Sequence, residues 1–159
     1  MPLLQFNRLL SVYNTQLLNR YASIDPRLSR LGIFVNWWSG DAGLGGRARG
    51  FLSSYAWLLQ VIEYAKEKRL APCLEKSPFA PKEPQTVDGH RISFFQDASS
   101  DKSLCPIVPE MPEDVRKKLR EAKENAKKNE ASLSELALGF MEFCSLRWNK
   151  GIDIRVITA

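Results

Sequence analysis

Phe6, Leu9, Leu10, Tyr13, Leu17 and Tyr21 recur at three- and four-residue spacing, and Asp25-Pro26 follows almost at once. The spacing predicts a helix from about Leu4 to Ala22 with one buried face. Asp25 is a natural N-cap, and Pro26 fits the first helical position, where its missing N–H is no loss. A second helix carrying Leu28, Leu31, Phe34, Val35 and Trp38 must therefore start within a few residues of the first. The chain has to make a tight helical corner, and further helices follow it.

Those further helices are legible. Ser53 and Ser54 can cap a helix running to about Lys66, with Leu58, Leu59, Val61, Ile62 and Ala65 on its apolar side. Glu113 to Asn129 is a highly charged helix whose apolar stripe is narrow: Val115, Leu119, Ala122 and Ala126. Pairs such as Glu113 with Lys117 and Arg120 with Glu124 stand one turn apart. Its basic and acidic residues nearly balance, which favours a solvated face over an RNA-binding patch. Ser132 and Glu135 form a capping box, and Leu133, Leu136, Ala137, Phe140, Met141 and Cys144 line one face of a final helix.

Between these helices lie proline-rich connections. Ala71 to Pro84 holds four prolines and reads as loop. Arg91 to Phe95 alternates weakly, as a short strand would, and Ile152 to Ile157 is rich in β-branched residues and reads as a closing strand. No internal repeat is present. The fold class expected is mostly α, with one or two short strands.

Composition bounds the function. Of the 159 residues, 44% are hydrophobic, enough for a real core, and no apolar run reaches the length of a membrane span. The net charge of +5 favours polyanionic partners through phosphate contacts, although many basic proteins bind no nucleic acid. Before Lys66 every basic residue is arginine: Arg8, Arg20, Arg27, Arg30, Arg47 and Arg49. Cys73, Cys105 and Cys144, with the single His90, make no metal-ligand spacing, and their number and separation suit a reducing compartment. Cys144 sits in an apolar run and is simplest as a core residue. The acid-free segment before Asp25 reads either as a structural helix or as a mitochondrial presequence, so the compartments left open are mitochondrion and cytoplasm.

Gly40 to Gly50 is glycine-rich and contains Arg47 and Arg49. It follows a helix rather than a strand, and no Gly-Lys-Ser/Thr comes after it, so both the dinucleotide fingerprint and the P-loop fail on context. A flexible connection is the simpler reading.

Four local strings go further. Asn14-Thr15-Gln16-Leu17-Leu18 leads to Tyr21-Ala22-Ser23-Ile24-Asp25-Pro26-Arg27, then Val35-Asn36-Trp37-Trp38, then Leu52-Ser53-Ser54-Tyr55-Ala56. In content and interval this series resembles the central domain of terminal uridylyltransferases and noncanonical poly(A) polymerases. Gly89 to Gln96 and Ser132 to Met141 are similar to later segments of that family, the second to the opening of its poly(A)-polymerase-associated region. The resemblance implies a helical central domain of a DNA polymerase beta-like RNA nucleotidyltransferase. It divides the chain into a central-domain core at 1–70, proline-rich loops with a short strand at 71–112, and associated-region helices with the closing strand at 113–159.

The resemblance also implies roles. Tyr55 would stack a base, Ser54 would touch the triphosphate and Asn14 would bind the ribose, with Thr15 and Ser53 as further nucleotide-binding residues. Arg47 and Arg49 are candidates for RNA or phosphate contact. Each of these residues also has an ordinary structural role: the serines as caps, Tyr55 as core, Asn14 as a helix-face residue, the arginines as solvated charges. The expected partners are an RNA 3′ end, UTP or ATP, and a larger RNA-processing complex, with no membrane. The family uses Mg2+ held by carboxylates. Here the position of one such carboxylate falls near Leu3, and the two family lysines that grip the triphosphate are replaced by Asn36 and Gly40. No catalytic residue and no metal ligand is therefore assigned. The chain is either a fragment of an active enzyme or a noncatalytic relative binding RNA or a partner, and the loss of both lysines favours the relative. A helical interaction protein with no nucleotide site is the third possibility.

Overall fold

The first corner forms as the sequence dictates. In the computed structural model, which describes residues 9–45, 50–87, 89–95 and 109–149, α1 (Leu9–Ile24) gives way to α2 (Pro26–Asp41) across the single residue Asp25. Asp25 has extended backbone, and its carboxylate accepts the Arg27 backbone N–H at 2.8 Å. Tyr13, Leu17, Tyr21 and Ile24 are the buried stripe of α1. Helix α3 (Ser54–Glu67) follows, then the strands β1 (Gln85–Val87) and β2 (His90–Ile92), then α4 (Glu113–Lys127) and α5 (Leu133–Asn149). The architecture is mostly α with two short strands. The expected closing strand at Ile152–Ile157 lies outside the described residues.

Two compact units divide the chain discontinuously. One takes Met1–Arg20 with Pro72–Ala122; the other takes Tyr21–Ala71 with Lys123–Ala159. In the first, β1 and β2 pair antiparallel, with Val87 opposite His90. The connection between them is two residues long and ends in Gly89 at φ 77, a left-handed conformation that glycine adopts without strain. β2 overlaps the expected strand Arg91–Phe95 only at Arg91 and Ile92, and Ser93–Phe95 are not strand, whereas the polar Gln85-Thr86 of β1 carries no strand pattern of its own. Phe95, Met111 and Val115 form a buried cluster with Phe79 and Leu119 against it. On α4, Glu113 pairs with Arg116 and Arg120 rather than with Lys117. A carboxylate has two oxygens, and the longer arginine forks take one each.

In the second unit α2, α3 and α5 pack on one another. Two glycines set how closely. A Cβ at Gly32 would come within 2.8 Å of Leu58 Cδ2, so α2 meets α3 closely there and a side chain would have to displace the Leu58 methyl. A Cβ at Gly139 would come within 2.3 Å of the Tyr64 hydroxyl, so α5 meets α3 the same way. Aromatic edges complete both contacts. Trp38 and Trp57 meet at 5.8 Å between centroids, and Tyr64 lies 5.8 Å from Phe140 and 5.4 Å from Phe143. Arg147 covers Phe143 at 4.4 Å and reaches Glu63 and Glu67. Burial between Glu67 and Glu142 pushes the Tyr64 phenol above its ordinary range, chiefly through desolvation. Burial likewise pushes the Cys144 thiol up to about 11, with Arg147 opposing it. That is the environment of an inert core cysteine.

The capping box closes as expected at the start of α5. The Ser132 N–H donates to Glu135 Oε2 at 2.7 Å, and the Glu135 N–H donates back to Ser132 Oγ at 3.3 Å. Hydrogen bonds from Ser132 hold the Glu135 carboxyl below its usual range.

Candidate nucleotide site

The Ser53-Ser54-Tyr55 string sits at the start of α3. Ser53 is the N-cap, with φ −70 and ψ 160, and its hydroxyl accepts the Ala56 N–H at 3.2 Å. This lone pair is committed to the helix. Ser54 is the first helical residue and is exposed, so of the two hydroxyls it is the one open to a ligand. Tyr55 is half-buried. A half-buried ring at a helix start presents one edge or face outward while its other side is held in place, and the first-turn N–H groups point out of the same helix end.

Asn14 and Thr15 lie on α1, in the part of that helix belonging to the first unit. Asn14 is half-buried, and Thr15 is exposed, with its hydroxyl donating to the Ser11 carbonyl at 2.9 Å. That bond occupies the Thr15 proton locally. Ser53, Ser54 and Tyr55 therefore share one helix end in the second unit, and Asn14 and Thr15 are consecutive residues of α1 in the first. Arg47 and Arg49 lie outside the described residues.

The helix before the loop presents the two substituted lysine positions. Asn36 is half-buried, and its side-chain oxygen is enclosed with no hydrogen-bond partner. Gly40 is exposed with open space around it. After α2 the chain turns through Gly43 at φ 71, with the Leu44 N–H on the Ser39 carbonyl at 2.9 Å. A parallel bridge from Gly45 to Leu52 then pins the base of the glycine-rich loop immediately before Ser53.

The Tyr-x-x-x-Asp-x-Arg corner has a role that sequence reasoning missed. Arg27 grips Asp25 through Nε, at 3.0 and 3.1 Å, and through Nη2, at 2.6 Å. Its remaining N–H groups donate to the carbonyls of Asn129 at 2.6 Å, Ala131 at 2.8 Å and Ala126 at 3.2 Å. The hydrogen bond to Asp25, opposed by desolvation, raises the guanidinium pKa further. Asn129 extends the clasp, accepting the Ala131 N–H and donating to the Lys68 carbonyl at 3.3 Å. The arginine thus ties the α1–α2 corner to the α4–α5 corner. No signal near Arg27 could have found this, because its acceptors lie about a hundred residues away.

Terminal uridylyltransferase 4 of Mus musculus is 33% identical over 137 residues, which is 84% of this chain. The chain belongs to the terminal uridylyltransferase and noncanonical poly(A) polymerase family. Poly(A) RNA polymerase GLD2 of Xenopus tropicalis is 29% identical over 153 residues, 95% of this chain. Terminal uridylyltransferase cid1 of Schizosaccharomyces pombe is 27% identical over 144 residues, 90% of this chain. The chain spans 7%, 24% and 30% of the lengths of these three family members. No protein-family model matches, and no solved structure matches significantly.

The family's chemistry implies Mg2+. Among the described residues no three His, Cys, Asp or Glu side chains converge to hold a metal ion. The described part of the chain therefore does not fit the ion, and no step is derived through it. No helix among the described residues is long and apolar enough to cross a membrane.

Proposed function

We propose that this chain serves in RNA 3′-terminal nucleotidyl addition, uridylyl or adenylyl, as the helical part of a DNA polymerase beta-like nucleotidyltransferase. Its own share is to bind the incoming UTP or ATP and the RNA 3′ end. The observation that carries the reading is the similarity to RNA nucleotidyltransferases over most of the chain, together with the Ser53-Ser54-Tyr55 helix start. Tyr55 stacks the base, a contact worth about 1–3 kcal/mol for an aromatic ring and tolerant of base identity. The exposed Ser54 hydroxyl and the neighbouring helix-end N–H groups donate to the phosphate oxygens. The Asn14 amide, with one donor and one acceptor side, meets the ribose hydroxyls, with Thr15 beside it. Arg47 and Arg49 contact RNA or phosphate. In this reading Mg2+ and the carboxylates that hold it belong to the complete enzyme, and a larger RNA-processing assembly is its setting, in the mitochondrion or cytoplasm.

Asn36 and Gly40 stand where a triphosphate grip needs positive charge, and that loss favours a noncatalytic relative. A noncatalytic RNA-binding role is therefore the second reading. Calorimetric titration of the chain with UTP and with ATP separates them. Tyr55→Ala should weaken nucleotide binding roughly ten- to hundredfold. RNA binding that falls steeply with salt, with no nucleotide binding, would establish the second reading instead. An unaltered affinity in Tyr55→Ala would remove the base-stacking role.

A further inference from the structure

The outer side of α2 carries two large apolar side chains that nothing in the described chain covers. Ile33 is 69% exposed and Trp37 is 65% exposed, one helical turn apart. Trp37 is held from the side by Phe34, at 6.4 Å between ring centroids, so its ring is supported while its outer face stays open. Arg30 and Asp41 are exposed on the same helix. At about 100° per residue, Ile33, Trp37, Arg30 and Asp41 project within a sector of roughly 80°. Among the described residues neither Arg30 nor Asp41 has an ion-pair partner.

The order along this stripe is the telling feature. Arg30 stands at one end, Asp41 at the other, and the apolar pair lies between. The midpoint of Ile33 and Trp37 is position 35, and the midpoint of Arg30 and Asp41 falls half a residue away, about 0.8 Å along the axis. A stripe with opposite charges at equal distances from an apolar centre is complementary to itself when reversed. We infer that α2 is the docking surface for a second copy of this chain, in an antiparallel, isologous helix pair with its two-fold axis at position 35.

In that pair Trp37 of each copy lies over Ile33 of the other. Arg30 of each copy stands level with Asp41 of the other, within about one residue's rise of 1.5 Å. Both ion pairs form along the same edge of the seam, because both charges lie on the same side of the apolar pair. Gly40, which has no side chain and open space around it, leaves room for the partner's Arg30. A symmetric pair of this kind closes on itself and does not grow into a fibre. Its area is small: one tryptophan and one isoleucine per copy, with their flanks, fall below the roughly 1,200 Å² of standard interfaces. Association is therefore weak and shifts with concentration.

Sedimentation velocity of the 159-residue chain over a wide concentration range tests this. A monomer–dimer equilibrium is expected, abolished by Trp37→Glu, which on an exposed position leaves the helical circular-dichroism spectrum unchanged. Arg30→Asp alone and Asp41→Arg alone should each weaken dimerisation roughly tenfold, because each puts two like-charge pairs across the seam. The double variant Arg30→Asp with Asp41→Arg should restore it. A monomer at every concentration overturns the inference, as does a dimer indifferent to Trp37→Glu. Single-strand RNA quenching Trp37 fluorescence in a persistently monomeric chain would assign the face to a stacked base and also overturn it.

Discussion

Adding one methyl group at Gly139 sets two effects of opposite sign against each other. In a helix interior, glycine to alanine is favourable by about 0.8–1.0 kcal/mol, because it removes backbone freedom from the unfolded chain. At Gly139 the new Cβ would lie 2.3 Å from the Tyr64 hydroxyl, well inside contact distance, while the ring carbon behind it lies at 3.4 Å. Tyr64 cannot retreat easily, because Phe140 and Phe143 hold its ring on two sides. Overpacking of this kind costs about 1–3 kcal/mol and should win, so Gly139→Ala should destabilise by roughly 1–2 kcal/mol net. Removing only the hydroxyl, by Tyr64→Phe, brings the closest approach back to near-ordinary contact. On that background Gly139→Ala should become neutral or stabilising by up to about 1 kcal/mol. Urea unfolding of the four proteins gives the double-mutant cycle, with the change read from the midpoint at constant slope. An alanine at 139 that is equally harmful with tyrosine or phenylalanine at 64 would refute the argument, since the hydroxyl would then not be the obstacle. So would an alanine that stabilises the wild-type chain.

Arg27→Ala should destabilise by roughly 3 kcal/mol, because it strands the buried Asp25 carboxylate and three carbonyls at once, and Arg27→Lys should recover little of this; urea midpoints measure both. Glu135→Gln should remove a pH dependence of stability: the Glu135 carboxyl is depressed when folded, so its contribution is present above the unfolded value and lost as pH falls through the folded one. Unfolding midpoints compared at mildly acidic and neutral pH should therefore converge in the variant. The raised Cys144 thiol has the opposite sense, protecting the fold below its unfolded value near 9 and losing that effect as pH climbs toward about 11. Thiol titration of the native chain at pH 8 should modify the half-exposed Cys73 quickly and Cys144 only on unfolding.

What the sequence could show followed the range over which its signals act. The Asp25-Pro26 corner and the Ser132-Glu135 box were readable because a cap and its partner lie within four residues. The buried stripe of α1 was readable because helical period is local. β1 was not, since Gln85-Thr86-Val87 is a strand only through its pairing with His90–Ile92. On α4 the spacing rule named Lys117 for Glu113, but geometry chose Arg116 and Arg120, because the longer fork reaches farther than spacing alone indicates. The serine pair was legible as a pair; that Ser53 is committed to Ala56 and Ser54 left open emerged only from the backbone at position 53. Gly139 is one small residue in an apolar run, and nothing nearby in sequence announces that Tyr64 stands against it.

The Arg27 clasp also bears on the order in which a ribosome delivers this molecule. The guanidinium emerges early, but the carbonyls that receive it belong to residues 126, 129 and 131, which are translated some hundred codons later. Until then the α1–α2 hairpin holds an unfinished socket, and the whole of Pro72–Ala122 must pass before it is filled. Nascent chains stalled before residue 126 should remain sensitive to protease at the hairpin, and resistance should arrive in one step once residue 131 has cleared the exit tunnel.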